Sequence, residues 1–380
     1  MINTVWNLAA RFVFFILQLL IPKETNSIVV TTNKGRVFGD NTKSFFLYAK
    51  SIPDLNVYLL TKNKALFDSL NSEFPGKILY AWSFRGIIKY AKSQVVMVTH
   101  GPADLHPYYP VQIGKTFINL WHGTPMKKTN YLLRESFKMT KSGMDFCEYT
   151  CTSSEFTQYL MSTQFQQHVD NVWITGQPRN DVLFNTEQKL LDEYLFLQKK
   201  TILYAPTFRL GEKTKLFPFD DFNPHKLLDL LEEQDAYLMM RCHISELNQL
   251  NDDVLLGSKR VIIADQKMFP SVEGILRHTD ILITDYSSMY FDFLLLNRPI
   301  VFLPYDLDYY TKHRGLNFDF NTNTPGAKPA TFEKFSQILQ TYFRDPSTDE
   351  TERIIVRNKF NKFIDDQSGA RIVEKIRGIL

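Results

Sequence analysis

ILITDYSSMYFDFLLLNRPIVFLPYD, Ile281 to Asp306, reads as a buried strand (Ile281 to Thr284), a short polar turn (Asp285 to Ser288), an apolar helix (Met289 to Asn297) and a second buried strand (Pro299 to Leu303). Strand, helix and strand in that order make a βαβ unit. Its turn lies at the carboxyl end of a parallel strand, where open α/β sheets bind ligands, and its helix starts with unpaired N–H groups. Ser287 or Ser288 can cap that helix, which is the plain reading of an isolated DYSS. The same hydroxyls and N–H groups also suit a phosphate, because donors and dipole both favour negative charge.

Outward from this unit the chain alternates in the same way. Towards the N-terminus, SIVVTT, NVYLLT, KILYAW, QVVMVT, KTFINLW and EYTCTS read as strands, separated by helical stretches such as Thr42 to Ser51, Leu66 to Glu73 and Phe84 to Ala91. TILYAPTFR, AYLMMRCH and KRVIIAD begin a second run after a charged, helical-looking bridge, Thr186 to Lys200. The pattern predicts parallel sheets with helices on both faces. At 380 residues the chain suits two such domains. The tail from Thr351, with Ile354, Ile355, Phe360 and Phe363 at helical spacing, predicts a closing helix over residues 351–380 on the domain seam.

Composition narrows the function classes. With 44% hydrophobic and 22% charged residues the chain is globular, and its net charge of +3 gives no global signal for nucleic acid. The 3 cysteines, Cys147, Cys151 and Cys242, offer neither a disulfide framework nor zinc spacing, which fits a reducing cytosol. The one strongly apolar segment, Val5 to Pro22, is at the lower limit for crossing a bilayer at roughly 17 residues. Asn3, Thr4, Asn7, Arg11 and Gln18 share one arc of roughly 100° on its helical wheel, interrupted by Phe14. That is the profile of a helix lying in the membrane interface or docked by its polar face, with a buried first helix as the plainer reading.

Four strand-end loops carry the candidate chemistry. His122, before Gly123, Thr124 and Pro125, stands exposed after a strand and can serve as a general base, although a lone histidine is more often structural. Arg209 ends a loop containing Thr207, where its guanidinium fork can hold a phosphate. Arg241 and His243 follow another strand as a cation pair, and the fourth loop is Asp285 to Ser288. Asp285, Asp292 and Asp306 lack the spacing of an all-carboxylate metal site, so no metal or cofactor is expected, Mg²⁺ assistance being possible but not predicted. Asp292, one turn after Ser288, can instead cap N–H groups or bind a substrate hydroxyl. Lys127, Lys128, Arg134, Lys138 and Lys141 form a basic run, read either as a solvated face or as a seat for lipid or acceptor phosphates.

Taken together, NLWHGTPMKK, TSSEF with TGQPRNDVLF, YAPTFR, Arg241 to His243, TDYSSMYFDFLLLNRPIVFLPYDLDYY and Arg314-Gly315 resemble the CDP-glycerol glycerophosphotransferase family of teichoic acid and related polyol-phosphate polymer synthesis. One departure is Ile244, where the family usually has proline after the histidine of its RxHP motif. The resemblance implies a GT-B-like fold, two doubly wound domains facing a cleft. With residues 1–22 read as a membrane-associating helix, it makes 23–185 the acceptor domain and 201–345 the nucleotide-donor domain. It further implies transfer of glycerol phosphate from CDP-glycerol to a hydroxyl of a lipid-linked saccharide acceptor on the cytoplasmic face of an anionic membrane. His122 would then be the base. His243, Arg209 and Arg241 would neutralise the diphosphate, which Ser287 and Ser288 hold beside Thr207 and Asp285, while Asp292, Gly123 and Thr124 meet hydroxyls. CDP-ribitol as donor, a nucleotide-sugar glycosyltransferase on the same fold, and a silent membrane-docked scaffold are the alternatives.

Overall fold

The computed structural model describes residues 12, 14–105, 113–132, 145–185, 193–209, 214–242, 253–265, 268–269 and 271–380. The chain divides into two compact units, one of residues 1–123, 129–181 and 365–380, the other of 124–128 and 182–364.

In the first unit seven parallel strands, β1 (Glu24–Thr31), β2 (Asn56–Thr61), β3 (Ile78–Tyr80), β4 (Ser93–Val98), β5 (Thr116–Asn119), β6 (Tyr149–Thr152) and β7 (Val172–Ile174), lie in the order β3-β2-β1-β4-β5-β6-β7. Successive residues of β1 serve opposite faces, as a strand's period of two requires. Ile28 and Val30 pack with Phe45, Phe46, Ile372 and Ile376, whereas Val29 packs with Tyr58, Val96 and Phe117. Both faces are covered, hence the nearly unbroken apolar runs that made these strands readable. β7 was not among the predicted strands.

In the second unit β8 (Lys200–Ala205), β9 (Ala236–Met240), β10 (Val261–Ile263), β11 (Ile281–Thr284) and β12 (Ile300–Phe302) form a parallel sheet in the order β10-β9-β8-β11-β12. The strand order reverses between β1 and β4 in one sheet and between β8 and β11 in the other. These are the positions where a doubly wound sheet opens a crevice at its carboxyl edge.

Two local expectations need correction. The helix after the DYSS turn is short: Met289–Phe293 is α-helical, and Leu294–Leu296 tightens into a 3₁₀ turn ending at Asn297 in the left-handed conformation, φ 52°. In the bridge expected to be helical, Glu193 is helical and Leu195–Gln198 forms a 3₁₀ turn, while 186–192 lie outside the described residues. The closing segment is two helices, Glu350–Phe360 in the second unit and Ser368–Arg377 in the first. Ile355 faces solvent, while Arg353, Val356 and Phe360 are buried.

Residues 14–20 are helical. Phe14, which breaks the polar stripe in the sequence, is buried with its ring 5.8 Å from that of Tyr90, and Gln18 is buried too. Lys23 holds the helix end by donating to the carbonyls of Gln18 and Ala91. The opposite side shows Phe15, Leu19 and Leu20 to solvent, Leu20 at 74%. Asn3, Thr4, Asn7 and Arg11 lie outside the described residues. Among the described residues no helix is long and apolar enough to cross a membrane.

Candidate functional site

The first unit gathers its polar groups at the carboxyl ends of β1, β4, β5 and β7. After β5, Trp121 adopts the left-handed conformation, φ 52°, with its N–H donating to the Asn119 side chain at 2.8 Å, and Gly123 follows at φ 128°. Two such turns around one residue hold His122 away from both strand and helix geometry, as at many functional sites. Asn41 fixes the loop from β1 by donating to the carbonyls of Leu120 and Trp121, 3.1 Å each, and accepting from the Arg179 N–H. The Arg179 side chain bridges Asp40 and the His122 carbonyl, 3.1 Å each. GDN, WHG and GQPRN are thereby locked together, although Asp40, Asn41 and Arg179 were not read as site residues.

The His122 ring lies between Trp121, centroids 4.0 Å apart, and His100, stacked at 4.6 Å and 8°. Nδ1 of His122 is 3.2 Å from the Thr99 carbonyl, which can only accept, so this nitrogen carries the proton and Nε2 keeps its lone pair. His100 makes a 2.8 Å contact through Nδ1 with the Thr99 hydroxyl. Beneath them the buried Asp104 accepts from the N–H groups of Lys34, Thr99 and His100. Burial lowers the His122 pKa to about 4, His100 adding to the effect and Asp40 and the Thr99 carbonyl opposing it. The imidazole is neutral at pH 7. His100 carries no sequence signal, because a histidine just past a strand has no motif.

The second unit builds its polar centre where β8, β11 and β12 end. Asp285 accepts from the N–H of Thr207 at 2.8 Å and that of Tyr286 at 2.6 Å, and its other oxygen pairs with Arg209 at 2.9 Å. Arg209 reaches Asp306 through Nε at 2.9 Å and Nη2 at 3.0 Å, and gives Nη1 to the Thr207 carbonyl. Tyr286, Tyr305 and Tyr310 surround the guanidinium at 4.9, 5.2 and 5.1 Å. The fork expected to face a phosphate is closed on two carboxylates. Burial works against the Arg209 charge, but the Asp306 hydrogen bonds and the Asp285 charge outweigh it and hold the proton more firmly than in an ordinary arginine. Burial pushes the Asp285 carboxyl up, against Arg209 and the Thr207 contacts.

The other predicted residues are distributed as follows. Ser287 accepts weakly from the Met289 N–H at 3.3 Å, and Ser288 makes no capping bond. Asp292 is buried and engaged within the protein. Arg241 spends Nη1 on the carbonyls of Ala264 and Phe269, 3.0 Å each. Thr124 is buried, and its hydroxyl has no hydrogen-bond partner among the described residues. His243, Arg134, Lys138 and Lys141 lie outside the described residues. Among those described, no group of three or more His, Cys, Asp and Glu side chains is placed to hold a metal ion.

Comparison with known proteins adds a family. The family model described as CDP-Glycerol:Poly(glycerophosphate) glycerophosphotransferase matches residues 13–378. The chain is 25% identical over 413 residues to the teichoic acid glycerol-phosphate transferase of Staphylococcus aureus, covering 98% of this chain and 99% of that one. It is 29% identical over 295 residues to the teichoic acid poly(ribitol-phosphate) polymerase of Bacillus spizizenii, covering 70% of this chain but only 46% of the relative's length. The structure of the wall teichoic acid polymerase TagF, a variant of which was also solved after soaking with CDPG, matches with a TM-score of 0.76 at 22% identity over 99% of this chain and 95% of that one. At that identity the likeness establishes the α/β fold with its two parallel sheets.

Proposed function

Since this chain belongs to the CDP-glycerol:poly(glycerophosphate) glycerophosphotransferase family, we propose that it transfers glycerol phosphate from CDP-glycerol to a hydroxyl of a lipid-linked acceptor in teichoic acid-type polymer synthesis. The observation that carries the mechanism is the fixed tautomer of His122, Nδ1 bound to a main-chain carbonyl and Nε2 left as acceptor. The acceptor hydroxyl gives its proton to Nε2 as its oxygen attacks the β-phosphorus of the donor. The bond from that phosphorus to the bridging oxygen breaks, and CMP leaves with the oxygen. Phosphoryl transfer of this kind needs positioning and charge stabilisation, not a covalent enzyme intermediate. The reading calls for no bound cofactor, so CMP release is expected to persist in EDTA.

A neutral base suits the step, because an imidazolium cannot take the proton. The test is single-turnover CMP release from CDP-glycerol and from CDP-ribitol with a soluble prenyl-diphosphate-disaccharide acceptor. Acceptor-dependent CMP from CDP-glycerol, reduced about 10²- to 10⁴-fold in His122→Ala, is the expected outcome. Equal rates in the variant would remove His122 from the chemistry. Ribitol phosphate transfer is the second reading, favoured by the likeness to the ribitol-phosphate polymerase, and CMP from CDP-ribitol alone would select it.

The acceptor is membrane-held in this reading, and the enzyme meets it at the bilayer surface. The helix over residues 14–20, with Phe14 and Gln18 buried and Phe15, Leu19 and Leu20 exposed, supports interfacial docking on the cytoplasmic face.

A further inference from the structure

Resting on the glycerophosphotransfer reading, we propose that Lys127 is the cation that holds the donor's diphosphate in the second unit, the task the sequence suggests for Arg209. Three observations lead there. The helix after the DYSS turn has five α-helical residues, so its dipole supplies little positive potential, and Ser288 caps nothing. Arg209 faces two carboxylates, Asp285 and Asp306, and its Nε, Nη1 and Nη2 already donate to protein oxygens, while the exposed Arg314 meets the cluster at Tyr310. A diphosphate arriving there meets those two carboxylates with their cation already engaged, and needs another.

Lys127 supplies it. Residues 124–128 belong with the second unit, where Lys127 forms a backbone bridge to Leu316 and the Met126 carbonyl accepts from the Asn317 N–H at 3.0 Å. The ammonium sits 5.7 Å from the centroid of Tyr310, whose ring stacks on Tyr286 at 3.9 Å, directly beside Asp285 in the chain. It is half-buried, and among the described residues no carboxylate or carbonyl lies within hydrogen-bond or ion-pair distance of it. An ammonium withdrawn from water without an acceptor is unfavourable, and one ring face compensates only part of the loss. An anion completes the site. Burial lowers the Lys127 pKa to about 8, with Asp285 opposing and Arg314 and Arg209 adding to the effect. Its neighbour Lys128 is exposed, with its stem over Gly315, so the two lysines of the motif do not share a role.

The test is calorimetric binding of CDP-glycerol to the full chain, with uncharged cytidine measured by competition. Lys127→Met, which keeps the apolar stem, is expected to weaken CDP-glycerol about 10- to 100-fold and leave cytidine unchanged, with Lys127→Arg recovering part of the loss. Unchanged CDP-glycerol affinity in a variant that melts like the wild type overturns the proposal, as does an effect confined to the KM for the acceptor. Should Lys127→Met not fold, the wild type decides. Its affinity for CDP-glycerol, but not for cytidine, should fall as pH rises from 7 to 9, and a flat profile counts against Lys127. A wild type that binds no CDP-glycerol at all brings down the functional reading itself.

Discussion

At the residue scale the site depends on how each polar group is already occupied. His122 has one nitrogen engaged and one available, and its depressed pKa makes a prediction with a definite sign. In the proposed mechanism His122 is the base and works only when unprotonated, so the acid limb of kcat/KM should lie near pH 4, below the ordinary imidazole value. His100→Gln removes the second cause of the shift but not the first, burial, so its limb should rise without reaching the value of a free histidine. A pH–rate series from 4 to 8 on both proteins checks this. A wild-type limb near the ordinary imidazole value of about 6.5 would show that the stack and burial do not set the base.

At the scale of elements, each unit fastens its strand-end loops with an arginine. Arg179 joins the segment after β7 to Asp40, the first residue of the helix after β1, and Arg209 joins the ends of β8, β11 and β12 through Asp285 and Asp306. Removing one partner from a buried, hydrogen-bonded ion pair leaves the other charge uncompensated, which typically costs about 3–5 kcal/mol. Arg209→Met should therefore destabilise the protein by about that amount in urea unfolding followed by circular dichroism. Arg314→Met, whose parent side chain is not in that triad, should shift the midpoint much less. A stability loss for Arg209→Met below about 1 kcal/mol would mean that the triad does not hold the three strand ends together.

At the scale of the whole molecule, the proposed lipid-linked acceptor requires the enzyme to bring its chemistry to a surface. The exposed Leu19 and Leu20 are the residues to test, because they leave the packing of Phe14 on Tyr90 untouched. Leu19→Glu with Leu20→Glu should lower binding to anionic vesicles about tenfold or more in co-sedimentation, since apolar burial and attraction to anionic lipid are lost together. CMP release with a soluble acceptor should be unaffected. Full vesicle binding by the double variant would place the membrane contact elsewhere.

The order of strands and helices was readable along the chain because parallel strands covered on both faces keep their apolar runs. WHGTP and DYSS were readable because glycine, proline and short polar residues interrupt the apolar runs where strands end. What those residues face was not readable. Arg209 looks like a phosphate ligand until Asp306, 97 positions later, closes on its fork. His100 looks like the end of β4 until β5 beside it brings His122 onto its ring. Lys127 looks like one cation in a solvated run until residues 124–128 pair with 316–317 and lay it over Tyr310. A side chain's type and its place at a strand end follow from local pattern. Whether its charge is spent or available depends on partners brought near by strand order, and only the tertiary structure decides that.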